Sequence, residues 1–121
     1  MPEKAAPHPT GITLHQASRV LEIAFEDGKS FRLPCEFLRV YSPSAEVRGH
    51  GPGQEVLQAG KRAVEIRRVE PVGSYAVQLA FSDGHDTGIY SWDYLYGLGE
   101  NQQRLWDEYL RRLAEAGAQR D

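Results

Sequence analysis

One cysteine, one methionine and four histidines leave 121 residues with few thiolate or imidazole groups for gripping a metal ion or running redox chemistry. The lone thiol, Cys35, excludes an internal disulfide and fits a reducing compartment, so stability has to come from packing. No apolar run approaches the ~20 residues a bilayer-spanning helix needs, and the opening MPEKAAPHPT lacks the apolar stretch of a secretory signal. A cytoplasmic protein without membrane contact is expected. Basic excess is missing too: 14 Lys and Arg against 17 Asp and Glu give a formal net charge of −3, the wrong sign for a phosphate-tracking surface. The runs GKRAVEIRRVE and YLRRLAEAG interleave arginines with glutamates and read as solvated faces, so no nucleic-acid partner is expected.

What is present suits one hydrophobic core. The expected organisation is a flexible tail over 1–11, one domain over 12–117 and a short tail over 118–121. In RVLEIAF, Leu21, Ile23 and Phe25 share one side, the period of a half-buried strand. Asp27-Gly28 is a tight hairpin signal, because the turn needs a positive φ that glycine adopts freely, and a partner strand over 30–33 should follow. One or two helical turns fit between Pro34 and Pro43, then a long glycine-rich connection over 44–61. Val64 and Ile66 predict another strand, PVG (71–73) a turn, and Val77, Leu79 and Phe81 its antiparallel partner. Asp83-Gly84 turns again, and Ser91 is placed to cap a short helix in YSWDYLYGLG. The last helix carries Leu105, Trp106, Tyr109, Leu110 and Leu113 on one stripe and stops at Gly117.

Two of these units repeat. Leu21–Gly28 (LEIAFEDG) aligns with Val77–Gly84 (VQLAFSDG), and each is followed by a short strand and a short helix. The expected fold is therefore α+β: a small, mostly antiparallel sheet shared by two hairpin-helix units, closed by an amphipathic C-terminal helix. After its turn, the second unit carries His85, and the helix after the first unit starts at Cys35. If the units pack side by side, these two groups approach each other.

The phrases LPCEFLRVYSPSAEVRGH and FSDGHDTGIYSWDYL resemble the gamma-butyrobetaine hydroxylase-like N-terminal domain family over residues 12–99. The resemblance implies a domain that occurs alone in many bacteria, precedes the oxygenase domain of carnitine-synthesis hydroxylases, or is appended to P-loop iron–sulfur carrier proteins. In the hydroxylases it implies a zinc module of three cysteines and one histidine. That histidine corresponds to His85, but the cysteine positions correspond to Ser42, Ser44 and Val47, which supply no thiolate. The hydroxylases' iron-binding oxygenase domain has no counterpart here, and no complete catalytic constellation is evident.

The leading expectation is a non-catalytic binding or adaptor domain for a protein partner, linked through the resemblance to iron or iron–sulfur protein metabolism. Candidate contact residues are His50, His85, Asp86, Trp92 and Tyr96, in the GHGPG, DGHD and YSWDYLYG segments. A second reading is a metal module holding iron or zinc through His85 with Cys35 or His50, although no cofactor is required by the first. The third is a small thiol enzyme using Cys35 with His85 as its base.

Overall fold

The structure is a computed structural model that describes residues 7–49 and 55–121. Its elements run β1 (Pro9–His15), β2 (Val20–Phe25), β3 (Ser30–Pro34), α1 (Cys35–Val40), α2 (Ala45–Arg48), β4 (Ile66–Val72), β5 (Ala76–Phe81), β6 (Gly88–Ser91), α3 (Trp92–Glu100) and α4 (Gln102–Ala116). The class is α+β, as expected, but the two units do not share one sheet. Each makes its own antiparallel three-stranded sheet, ordered β1-β2-β3 and β4-β5-β6.

The repeated phrase explains this arrangement. Its strand is the central one in both sheets, and in both the alternate residues turn inward: Leu21, Ile23 and Phe25 in β2, and Val77, Leu79 and Phe81 in β5, are all buried. Burial of each such side chain stabilises the fold by about 1.5–3 kcal/mol relative to exposure. The turns are alike as well, with Gly28 at φ 88° and Gly84 at φ 91°, where a Cβ would be strained. A central strand needs a neighbour on each side, and the first of these lies ahead of the repeat in both units. β1 therefore starts at Pro9, inside the segment expected to be a tail, with an irregularity between Pro9 and Gly11. PVG is not the turn: Pro71 and Val72 still pair in β4, and the chain reverses over 73–75.

One apolar core joins the inner faces of both sheets to α1 and α3. α4 adds a smaller cluster in which Tyr109 and Leu113 meet Val40 at the end of α1. Leu110, expected on the same stripe, is 37% exposed instead, one position round the helix from the contact face. The C-terminal residues expected as a tail are tied down: Arg120 makes two hydrogen bonds to the Glu36 carboxylate, at 2.9 and 2.6 Å, and the Gly60 and Arg62 amides donate to the carbonyls of Gln119 and Arg120.

Candidate functional site

His85 follows the β5–β6 turn, and that turn folds inward. Its side chain is 2% exposed, and its backbone amide donates to Asp83 Oδ1 at 3.1 Å. The ring Nδ1 lies 3.0 Å from Glu46 Oε2 and Nε2 lies 2.8 Å from Ser42 Oγ. An ionised carboxylate only accepts, so Nδ1 carries the proton, and a neutral ring then accepts the Ser42 hydroxyl at Nε2. Burial and then the Arg39 charge hold the imidazole below its usual value, against the opposing pull of Glu46 and Asp83, which fits that neutral form. Ser42 Oγ also accepts the Ser44 amide at 3.2 Å. Ser44 caps α2 by accepting the Glu46 amide and shares a 2.7 Å hydrogen bond with Thr87. β6 approaches Ser42 so closely that a Cβ on Gly88 would stand 2.6 Å from Ser42 Oγ.

Beside this cluster, Asp83 accepts from Arg39 at 2.8 Å and Lys61 at 2.6 Å. Burial raises its pKa, but the Lys61, His85 amide and Arg39 hydrogen bonds outweigh it and bring the carboxyl down to about 2. Polar bonds from the second unit thus fasten the end of α1 and the single turn of α2 to sheet β4-β5-β6.

α2 forms one wall of a cleft of about 420 Å³ that is half open to solvent. Val47, buried on α2, faces it together with Val40, Leu98 and Leu105, and the exposed Val56 stands in its lining. Tyr41, Tyr94 and Tyr109 contribute ring surface but no free O–H donor, because their hydroxyls donate to the carbonyls of Leu105, Tyr41 and Gln58. Burial pushes the Tyr109 phenol up to about 12 and raises Tyr41 and Tyr94 as well, so all three stay neutral near pH 7.

The family model described as gamma-butyrobetaine hydroxylase-like, N-terminal, matches residues 12–96. The chain belongs to that family. Two solution NMR structures resemble this gamma-butyrobetaine hydroxylase-like N-terminal domain at TM-score 0.84: one is 50% identical over 97% of this chain and 92% of its own, the other 54% identical over 99% and 89%. A crystal structure of a DUF971-family protein of unknown function from Acidithiobacillus ferrooxidans is 43% identical, with TM-score 0.65 over 76% of this chain and 92% of its own. No curated protein matches.

Within this family frame, the four positions where the resemblance implies zinc ligands can be placed. Ser42 and His85 touch, Ser44 is joined to them through Ser42, and Val47 turns its methyls into the cleft. Two hydroxyls already committed to hydrogen bonds, one imidazole and a valine do not fit a zinc site. Among the described residues no group of three or more His, Cys, Asp and Glu side chains is placed to hold a metal ion.

Cys35 sits at the start of α1, buried, with its thiol pushed up by burial, and its backbone amide donates to the Arg19 carbonyl. None of the hydrogen bonds of Cys35 and His85 joins the two, and they share no partner. His50 lies outside the described residues. Asp86 is exposed, and its carbonyl accepts from Gln78. Trp92 donates to the Ser74 carbonyl at 2.8 Å. Tyr96 packs on Phe25 and Phe31 and donates to Asp27 at 2.6 Å, so it braces the first hairpin. The sequence reading missed Arg39, Glu46 and Thr87; only Glu46 had a local signal, an acid in the first turn after a serine able to cap a helix. No helix among the described residues is long and apolar enough to cross a membrane.

Proposed function

We propose that the domain is a non-catalytic binding module and that its contact surface for a protein partner is the cleft between α2, the 55–57 segment, α3 and α4. The observation that carries this reading is the cleft itself: about 420 Å³, walled by aliphatic side chains and tyrosine rings, with the phenol O–H donors already satisfied. An exposed apolar concavity rimmed by polar residues is the kind of surface that marks an interaction site. The groups that would serve catalysis are shut away from solvent. Ser42, His85 and Glu46 have the bonding order of a catalytic triad, but Ser42 has no exposed surface for a substrate to reach, and Cys35 is a buried thiol rather than a thiolate. The further link to iron or iron–sulfur proteins rests on the fusions the family resemblance implies.

A photo-crosslinking residue in place of Val56 tests this in the native host, with Tyr75, 58% exposed and outside the cleft, as the comparison position. A discrete crosslinked species from position 56 and none from position 75 is expected. No product at 56, or the same products at both, would contradict the cleft as contact surface.

A further inference from the structure

Arg112 is the one arginine of α4 without an ion-pair partner among the described residues. On the same helix Arg104 pairs with Glu108 at 3.9 Å and Arg111 with Glu115 at 2.6 Å, each four residues on. Four residues beyond Arg112 is Ala116, and four before it is Glu108, which Arg104 already engages. The half-buried Arg112 lines the cleft, and its guanidinium has no hydrogen-bond partner among the described residues. The cleft's other cation, Arg48, is exposed and reaches the Tyr94 hydroxyl at 3.4 Å. Glu55 and Asp93 also border the cleft, but both are exposed, where water and salt screen them.

Resting on the binding-module reading above, we propose that the cleft takes a short segment of the partner protein that sets an apolar side chain against Val40, Val47 and Leu98 and an aspartate or glutamate carboxylate on Arg112. Shape favours a segment over a free small molecule. Small ligands are held with about 70–90% of their surface buried, whereas this cleft is half open to solvent. Charge selects the acid. A guanidinium beside apolar walls forms a forked pair with a carboxylate, stronger than a neutral hydrogen bond and lost when the acid becomes an amide. The tyrosine hydroxyls cannot take over this selection, because each already donates to a backbone carbonyl.

The test is selection of random heptapeptides on phage against the wild-type domain, Arg112→Gln and Val56→Asp, followed by affinities of the selected peptides. Wild-type selections are expected to carry Asp or Glu within two positions of a large apolar residue, and Val56→Asp is expected to lose them. Changing the peptide acid to its amide should weaken wild-type binding about tenfold, roughly the loss of one charge-assisted hydrogen bond. The same change should cost Arg112→Gln nothing further. Peptides lost on Val56→Asp but indifferent to Arg112→Gln would overturn the acidic preference and leave the binding cleft standing. If no selected peptide is lost on Val56→Asp, the segment proposal fails. In that case, 3-phenylpropionate shifting the Tyr94 and Leu98 amides of the wild type and not of Arg112→Gln would assign the cleft to small carboxylates. The crosslinking from position 56 reads the binding surface independently of these outcomes.

Discussion

Replacing His85 by alanine should loosen the joint between the two units, and its size can be worked from the contacts. The ring is 2% exposed and bonded at both nitrogens. Its loss leaves the Ser42 hydroxyl, in a residue with no exposed surface, without the acceptor for its proton, at about 1–3 kcal/mol for an unsatisfied buried group. Glu46 adds little: its side chain is 63% exposed and returns to water. The vacated space next to Phe81, whose ring centre lies 6.0 Å from that of His85, contributes about 1–2 kcal/mol, below the range for deleting a whole phenylalanine. Together these give roughly 2–5 kcal/mol, a large part of the ~5–15 kcal/mol that holds a domain folded. At about 3–4 °C per kcal/mol for a domain of this size, the midpoint should fall by roughly 6–20 °C. Calorimetry at pH 7.5, with and without chelator, reads it. The chelator should move neither protein, because hydrogen bonds and not a metal make the joint. A fall below about 2 °C for His85→Ala, or a wild-type midpoint that drops in chelator, would refute this reasoning.

The same residue gives the domain a pH dependence. The folded-state pKa of His85 is lowered from its ordinary 6.5, so its contribution is complete above that value and is lost as pH falls below it. Urea midpoints should fall between pH 7.5 and 5 in the wild type and stay flatter in His85→Ala; a wild-type midpoint that rose toward pH 5 would reverse the sign. Asp83, brought down to about 2, adds a further loss below pH 4, complete only once pH has passed below that value. Two glycines of α3 should respond in opposite directions. A Cβ on Gly99 would stand 2.3 Å from Phe31 Cγ, so Gly99→Ala should destabilise by about 1–2 kcal/mol despite its better helix propensity. Gly97 has nothing within 4 Å, so Gly97→Ala should stabilise by up to about 1 kcal/mol in the same melts. Cys35 is 1% exposed, and iodoacetamide should modify it at least about tenfold more slowly in the folded domain than in urea.

Much of the fold was legible because local chemistry decided it. The two Asp-Gly turns, the alternation of Leu21, Ile23 and Phe25, and the Ser91 cap of α3 each depend on neighbours within a few residues. β1 was not legible: PTGITLH is an edge strand whose inner face is only half-buried, so its alternation is weak, and a proline leads it. α2 was obscured by the surrounding glycines and prolines although Ser44 is a good cap. His85 stood out in the sequence, but its partners Glu46 and Ser42 lie 39 and 43 residues away, and nothing at the turn announces that it folds inward. The cleft draws its walls from five separate segments. No local period records such an assembly, nor the hydrogen bonds by which Trp92 and Tyr96, named from the sequence as contact residues, brace the hairpins.

The most direct measurement is the dissociation constant for the crosslinked partner, once recovered, against the wild type, Val56→Asp and Tyr75→Asp. Both substituted residues are more than half exposed, so both variants should fold, but only Val56 lines the cleft. Binding is expected to weaken at least about tenfold for Val56→Asp, the effect of an anchor contact worth more than ~1.4 kcal/mol, and to stay within about twofold for Tyr75→Asp. Equal losses in the two variants, or a loss confined to Tyr75→Asp, would contradict the cleft as the surface through which this domain binds.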